Sequence, residues 1–243
     1  MSVRNAPSLF GAAVLDAIPD DAIRAMAQAE AAEFGRTPGR PNVIKDAAGQ
    51  ERIGRFGWKA NGATLMQFVA DAMRNEHGVT NPLAPTDPVP VPADCQVKAS
   101  PRDDGTMLKA LTAFIESLPA PKAEAPAGGQ GATVFASAGC ASCHVPAFKT
   151  GSAELPLYSD LLLHDMGPAL NDGMVQLAAQ GRDWRTTPLW GLGSRMRFLH
   201  DGRATNIRSA IMAHAGEASP SVGAFRELPA DQQAALLEFL SSL

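Results

Sequence analysis

Two cysteines and a histidine lie close together in the stretch "GCASCHVP". Cys140 and Cys143 are separated by two residues, and His144 directly follows the second cysteine. Two thiols at this spacing can form thioether bonds to the two vinyl groups of a haem, and the adjacent imidazole can bind the iron. The motif therefore predicts covalent attachment of a c-type haem, with His144 as one axial ligand.

Two other kinds of site use closely spaced cysteines, and each lacks a necessary part here. A redox dithiol is expected at a helix start in a βαβ setting, which the sequence pattern does not show. A structural zinc site needs a second cysteine pair, and Cys95 is the only other cysteine in the chain. We expect Cys95 to be a lone thiol, because three cysteines cannot build a disulfide framework.

The opposite face of the iron needs a second ligand, for which neutral histidine and methionine are the usual donors. The second half of the chain offers both residue types at several positions: His164, Met166, Met174, Met196, His200, Met212 and His214. The chemistry of the sequence alone does not rank them.

Composition and charge exclude some partners. The chain has 243 residues and a net charge of −4, and its basic residues are scattered, so nucleic acid is not an expected partner. We expect no membrane span, because no apolar run reaches the required length of roughly 18 residues. A redox protein is a better match as partner.

The N-terminal stretch "MSVRNAPSLFGAAVLDAIPD" does not read as an export signal, because Asp16 comes too early for an apolar signal core. Haem c is attached outside the bacterial cytoplasm, so we expect a periplasmic protein and a chain that is a mature or truncated product.

The elements that must position these residues are mostly helical. Apolar residues recur at helical spacing in six segments, which are 20–34, 64–73, 107–118, 131–139, 206–216 and 228–243. The proline-rich residues 82–94 are expected to form an extended surface connection. The Pro-, Ala- and Gly-rich stretch that follows predicts a linker at 119–131 between domains at 1–118 and 132–243. The predicted fold is mostly α with long irregular loops.

The two halves contain an internal repeat. Residues 4–11 echo 185–193, each with an Arg three positions before a Pro, and residues 55–72 echo 197–214. This alignment pairs Trp58 with His200. The second copy has its haem motif about 45 residues before the Arg-x-x-Pro, whereas the first copy begins at the Arg. We therefore interpret the first copy as lacking its N-terminal part.

Four motifs carry a resemblance to a known family. "GCASCHVPAFKTG", "LYSDLLLHDMGPALNDG", "DWRTTPLWGLG" and "FLHDGRATNIRSAIMAHAGEA", in this order, resemble the diheme oxidoreductases, also called thiol-oxidoreductase-like proteins. These are relatives of bacterial diheme cytochrome c peroxidases. "GRFGWKA" and "HGVTNPL" match in the first half. The resemblance implies two cytochrome c-like domains, the first incomplete.

The resemblance also selects among the ligands. In the peroxidases an "FHDG" corner precedes a short helix whose far end supplies the distal ligand, and the same distance from His200 ends at His214. It thus implies a low-spin haem with His144 and His214 as axial ligands, with Met166 and His164 as alternatives. Second-sphere or propionate contacts are implied for four residues: His200, Arg203, Arg185 and Arg197. Trp58 is implied as an electron relay between two haems.

The sequence departs from the family in its first half. The first Cys-x-x-Cys-His is missing, and His77 replaces an expected Met. The resemblance implies a second haem in an intact family member and a peroxide or another small oxidant as substrate. Our leading hypothesis is a peroxidase-like oxidoreductase whose C-terminal haem passes electrons towards a catalytic centre in the first domain. The alternative is a single-haem electron-transfer cytochrome without catalytic activity.

Overall fold

A computed structural model describes the chain over five stretches, which are residues 2–32, 38–46, 48–87, 101–122 and 129–243. Cys95, most of the proline-rich connection and residues 123–128 of the predicted linker lie outside them. Gln130 and Gly131, the last two residues of that linker, already belong to a helix.

Helices carry most of the regular structure of the described residues. They are α1 (Ala12–Asp16), α2 (Asp20–Ala32), α3 (Leu65–His77), α4 (Thr106–Glu116), α5 (Gln130–Ser137), α6 (Ile207–Ala213), α7 (Ser219–Glu227) and α8 (Ala230–Ser241). All six predicted helical segments are helical in the structure, whereas α1 and α7 were not predicted. The mostly α fold class is confirmed.

The strands are short and form three antiparallel pairs. These are β1 (Val43–Lys45) with β2 (Glu51–Ile53), β3 (Phe148–Thr150) with β4 (Ala153–Leu155), and β5 (Leu163–Asp165) with β6 (Asp183–Arg185). In the last pair His164 lies opposite Trp184. Each pair joins two loop segments and is too short to form a sheet with a core of its own.

Two apolar cores organise the packing. The first is built mainly from α1 to α4, and the second from α5 to α8 together with Tyr158, Leu192 and Phe198. The first core also contains five residues from the other side of the predicted linker, which are Phe148, Leu157, Leu161, Leu162 and Trp190. The two halves therefore share buried apolar surface, and the division at 119–131 remains a prediction.

The internal repeat is visible in the backbone. An isolated bridge joins Phe56 to Gly62 in the first copy, and the same bridge joins Phe198 to Ala204 in the second. Left-handed φ angles occur at aligned positions, 77° at Gly57 against 69° at Leu199, and 49° at Ala60 against 71° at Gly202. The two loops thus have the same conformation, although one of them places leucine where glycine would be less strained.

Each loop leads into a helix that is capped in the same way. The Thr64 side chain accepts a hydrogen bond from the Gln67 N–H at the start of α3. The Asn206 side chain accepts a hydrogen bond from the Ser209 N–H at the start of α6. The Ser209 hydroxyl accepts one from the Asn206 N–H, which completes a capping box. The second helix carries His214 at its far end, so the cap fixes the start of a site-bearing element.

The two copies are joined by reciprocal contacts. The Arg185 N–H donates to the Trp58 carbonyl at 2.8 Å, and the Asn5 N–H donates to the His200 carbonyl at 2.6 Å. Each Arg-x-x-Pro segment therefore binds the corner residue of the other copy. In the parts of the chain that the structure describes, no helix combines the length and apolar character needed to cross a bilayer.

Candidate functional site

The rings of His144 and His214 are neighbours. Their ring centroids are 6.5 Å apart, and the ring planes are inclined by 59°. Metal–imidazole bonds of about 2.0 to 2.1 Å would put the centroids of two rings on opposite sides of one ion at about 6.3 Å. The separation fits a single iron between the two rings.

Both histidines hold the tautomer that an iron ligand needs. The Nδ1 of His144 lies 2.9 Å from the Tyr158 carbonyl oxygen, and the Nδ1 of His214 lies 2.7 Å from the Ala210 carbonyl oxygen. A carbonyl oxygen only accepts, so each Nδ1 carries the hydrogen. The Nε2 lone pair of each ring is left for a metal, and the Nδ1 bond fixes the ring orientation.

The surroundings keep both rings neutral. Burial lowers the pKa of His144 to about 4, and the neighbouring His214 ring adds to the shift. Burial also lowers the pKa of His214. Because only a neutral imidazole has a lone pair for iron, both side chains are in the binding form at neutral pH.

Local backbone geometry presents the attachment motif. Gly139 follows α5 with a φ of 81°, and a 3₁₀ turn then runs over Cys140–Ser142. The residues after the turn are held by 158–160, since the Asp160 N–H donates to the Cys143 carbonyl at 3.0 Å. Tyr158 has a φ of 51°, unusual for an aromatic residue, and its carbonyl accepts from His144. The strained residue is thus one that orients the His144 ring.

Cys140 and Cys143 are unpaired and partly buried. Burial raises the pKa of the Cys140 thiol to about 11. Both cysteines therefore have the free sulfur that a thioether bond to a haem vinyl group requires.

The alternative ligand His164 is fully engaged elsewhere. Its Nε2 lies 2.9 Å from Asp160 Oδ2, and its Nδ1 lies 2.8 Å from Glu217 Oε2. Burial alone would lower the pKa of His164, but the hydrogen bonds to Asp160, Cys143 and Glu217 raise it to about 12. An imidazolium has no lone pair for iron. The other alternative, Met166, is half-buried one residue beyond β5.

Cys143, Asp160 and His164 also bring potential metal ligands together, with ligand atoms within 4.8 Å of one another. The Cys143 sulfur is 3.7 Å from His164 Nδ1. As the side chains lie, both His164 nitrogens are taken by carboxylates, so the trio serves better as a support for the haem motif than as a separate metal centre.

The remaining predicted residues lie around this centre in different roles. His200 is buried and stacks on Trp184, with centroids 3.7 Å apart. Arg203 is exposed and donates to Asp201 at 2.6 Å. Arg197 is exposed, and its carbonyl accepts from the Asn5 side chain. The His200 ring therefore stacks on Trp184 and is not part of the His144–His214 pair.

Arg185 and Trp58 meet where the two copies join. Arg185 is buried and donates from Nε to the Gly57 carbonyl at 2.9 Å and from Nη1 to the Thr186 carbonyl at 3.1 Å. Burial lowers the pKa of Arg185 to about 10, with Asp160 opposing the shift. Among the described residues the Arg185 guanidinium forms no ion pair. Trp58 is half-buried and donates from Nε1 to the Asn5 carbonyl at 2.6 Å.

Sequence reasoning missed the supporting groups of the site. Tyr158 and Asp160 contact the motif only in three dimensions, and Glu217 contacts His164 in the same way, although Asp160 four residues before His164 was a possible signal. It also missed Lys59, which is fully buried with its Nζ 3.9 Å from the centroid of Trp184. His77 is exposed at the end of α3.

The sequence model of the family described as "Di-haem oxidoreductase, putative peroxidase" matches residues 1–243. A solved structure titled "Crystal structure of a MauG-like protein associated with microbial copper homeostasis" is 16% identical, with a TM-score of 0.48. That alignment covers 100% of this chain and 92% of the other. No curated protein matches.

Proposed function

The chain belongs to the di-haem oxidoreductase family, and from this premise we propose that it is a c-type cytochrome that transfers electrons within a peroxidase-like oxidoreductase. Cys140 and Cys143 would attach the haem, and His144 and His214 would bind its iron. The observation that carries this proposal is the pair of neighbouring, neutral imidazoles, whose ring centroids are 6.5 Å apart and whose Nδ1 atoms each bond to a backbone carbonyl, so that each Nε2 is left for a metal.

Bound at this position, haem c supplies one-electron transfer. The chain contributes two neutral ligands and a partly buried setting for them. Because both axial positions are then taken, peroxide or another small oxidant has no open iron position at this site. Substrate chemistry would therefore belong to a second haem centre associated with the first domain.

Arg185 supports the placement of a haem propionate near the junction of the two copies. Its guanidinium is buried and bonds only to carbonyl oxygens among the described groups. A buried charge of this kind is stabilised by a carboxylate, which a propionate would supply. Arg203, Arg197 and His200 are proposed as outer contacts of the same haem.

Trp58 is the proposed electron relay between the domains. The Trp58 carbonyl accepts a hydrogen bond from the Arg185 N–H, and the Trp58 Nε1–H donates one to the Asn5 carbonyl. An electron donor or acceptor protein in the periplasm would complete the path. Both the relay and the location are proposals that rest on the family.

One observation favours a second function. The chain has a single Cys-x-x-Cys-His among its three cysteines, which agrees with a one-haem electron carrier that has no catalytic activity. A six-coordinate haem with two imidazole ligands would react poorly with peroxide, so this carrier would show electron transfer alone.

The deciding experiment is expression with export and cytochrome c maturation, followed by haem quantification per chain and a peroxide turnover assay. Two haems with turnover would exclude the simple carrier. One low-spin haem without turnover would exclude the enzyme and support the carrier. A fully matured sample without covalent haem would refute both.

A further inference from the structure

We propose that His164 is a positioning residue that ties together the two segments bearing the axial ligands and so fixes the separation of His144 and His214. With Asp160 and Glu217 it forms what we call the His164 clamp. This inference rests on the proposed function, since it assigns the clamp to the haem ligands. The side chains of His164 and Asp160 are 3% and 0% exposed.

The clamp connects to the His144 side through Asp160. The Asp160 N–H donates to the carbonyl of Cys143, the residue before His144, at 3.0 Å. Its carboxylate Oδ2 lies 2.9 Å from His164 Nε2, and its Oδ1 accepts from the Leu162 N–H at 2.8 Å. One side of the imidazole is therefore anchored to the attachment motif.

The clamp connects to the His214 side through Glu217. Glu217 lies in the 3₁₀ turn Gly216–Ala218, three residues after His214, and its Oε2 is 2.8 Å from His164 Nδ1. His214 itself follows the last residue of α6, and its N–H and Nδ1 are bonded back to the Ile211 and Ala210 carbonyls of that helix. The bond to His164 therefore adds a side-chain anchor to the chain just beyond this residue.

The chemistry of the clamp makes it rigid. A carboxylate only accepts hydrogen bonds, so both nitrogens of His164 carry hydrogen and the ring is positively charged between two negative groups. Neutralising one carboxylate would remove one of the two negative charges that stabilise the buried imidazolium. The clamp is thus sensitive to a change in charge that leaves its shape intact.

Packing closes the clamp from two sides. A Cβ added at Gly39, which belongs to the other half of the chain, would lie 2.7 Å from His164 Nε2 and 2.5 Å from Leu162 Cβ. A Cβ added at Gly216 would lie 2.1 Å from the Asp165 carbonyl oxygen. The backbone after His214 therefore rests directly against the strand that carries His164.

The test is the rate at which an added ligand, cyanide, displaces His214 from the ferric, haem-loaded chain. We expect Glu217→Gln to keep covalent haem while accelerating cyanide binding by about tenfold, a typical effect of losing an outer partner of a metal ligand. Glu227→Gln, at an exposed position on α7, makes the same charge change and should leave the rate unchanged. Thr64→Ala, in the other copy, controls for a general loss of stability.

An unchanged cyanide rate in Glu217→Gln would overturn the clamp. If this variant does not accumulate, Gly39→Ala replaces it, because its Cβ displaces His164 without removing a charged group, and the same acceleration is expected. A wild-type chain without a six-coordinate haem overturns the proposed function instead. The clamp is then judged in the haem-free chain, where faster amide exchange at 214–218 in Glu217→Gln supports it and unchanged exchange refutes it.

Discussion

His144, His164 and His214 have different roles because their ring nitrogens bond to different partners. His144 and His214 each give one hydrogen to a backbone carbonyl and stay neutral. His164 meets carboxylates at both nitrogens and is held as a cation. The partner of each ring nitrogen, rather than the residue type, decides which histidine can bind iron.

Replacement of His214 tests this reading at the residue scale. We expect His214→Ala to convert the haem from low-spin to high-spin, because alanine provides no donor and the clamped His164 has no free lone pair. Absorption and electron paramagnetic resonance spectra of the haem-loaded protein measure the change. His77→Ala, at an exposed position, should leave the spectrum as it is. A low-spin spectrum that survives in His214→Ala would make Met166 or His164 the ligand.

The repeated unit at the element scale is a corner loop followed by a capped helix. The loops 56–62 and 198–204 share a bridge and two left-handed positions, and Thr64 and Asn206 cap the helices that follow. The two copies share this local geometry, but only α6 is followed by a predicted iron ligand, His214. This difference allows stability to be separated from ligand placement.

The two caps form a matched pair of variants. Thr64→Ala and Asn206→Ala should each reduce the free energy of unfolding by about 1 kcal/mol, because each removes a side-chain acceptor at a helix start. Only Asn206→Ala should also accelerate the displacement of His214 by cyanide, since α6 carries that ligand. Urea unfolding and cyanide binding measure the two effects. Equal acceleration in both variants would show that the start of α6 has no specific effect on the displacement of His214.

The two copies are held together at the scale of the whole molecule by buried charge as well as by apolar packing. The ammonium of Lys59 is surrounded by the carbonyl oxygens of Gln180, Gly181 and Asp183 at 2.7, 3.2 and 3.1 Å. Asp172 lies 3.5 Å from the same ammonium and also binds Arg4 at 2.6 Å. A lysine from the first half thus fills a polar cage built by the second half.

Loss of this cation should weaken the junction of the copies. We expect Lys59→Met to lower the free energy of unfolding by about 3 kcal/mol, because three carbonyls and a carboxylate would lose their buried partner. Chemical denaturation followed by circular dichroism measures the loss. Lys109→Met on the exposed side of α4 is the control, and similar stabilities of the two variants would show that the cage contributes little.

The contribution of Asp172 to the stability of this junction depends on pH. Burial alone would raise the pKa of Asp172, but bonds from Arg4, the Met174 N–H and Ser2, with the charge of Lys59, lower it to about 2. The unfolded chain binds this proton at a higher pH than the folded chain, so the stabilisation is present above about pH 4 and is lost as the pH falls towards 2. The shift corresponds to at most about 2 kcal/mol at neutral pH, because solvent screens part of the interaction of this carboxylate with its partners.

The pH profile of a single variant checks this sign. Asp172→Asn should be less stable than the wild-type protein at pH 7, and the difference between the two should be about 1 kcal/mol smaller at pH 3. Urea unfolding at both pH values measures it. A difference that stays constant or grows on acidification would show that Asp172 is not held as a carboxylate by these partners.

Sequence by itself determined the features that depend on neighbouring residues. The attachment motif at 140–144, the six periodic helices and the pairing of Phe56 with Phe198 follow from spacing along the chain, because covalent geometry and the helical repeat are local. The ligand His214 came from the family resemblance and is still a prediction.

Only the tertiary structure decided which histidine nitrogens are free and which are bound. The carbonyl that orients His144 is 14 residues away along the chain, and Glu217, which helps to hold His164 as a cation, is 53 residues away from it. Protonation depends on burial and on charges brought close by folding, and neither is encoded in local spacing. For that reason His164 and His214 were equal candidates by composition, and the fold gave one of them a free nitrogen and the other two carboxylates.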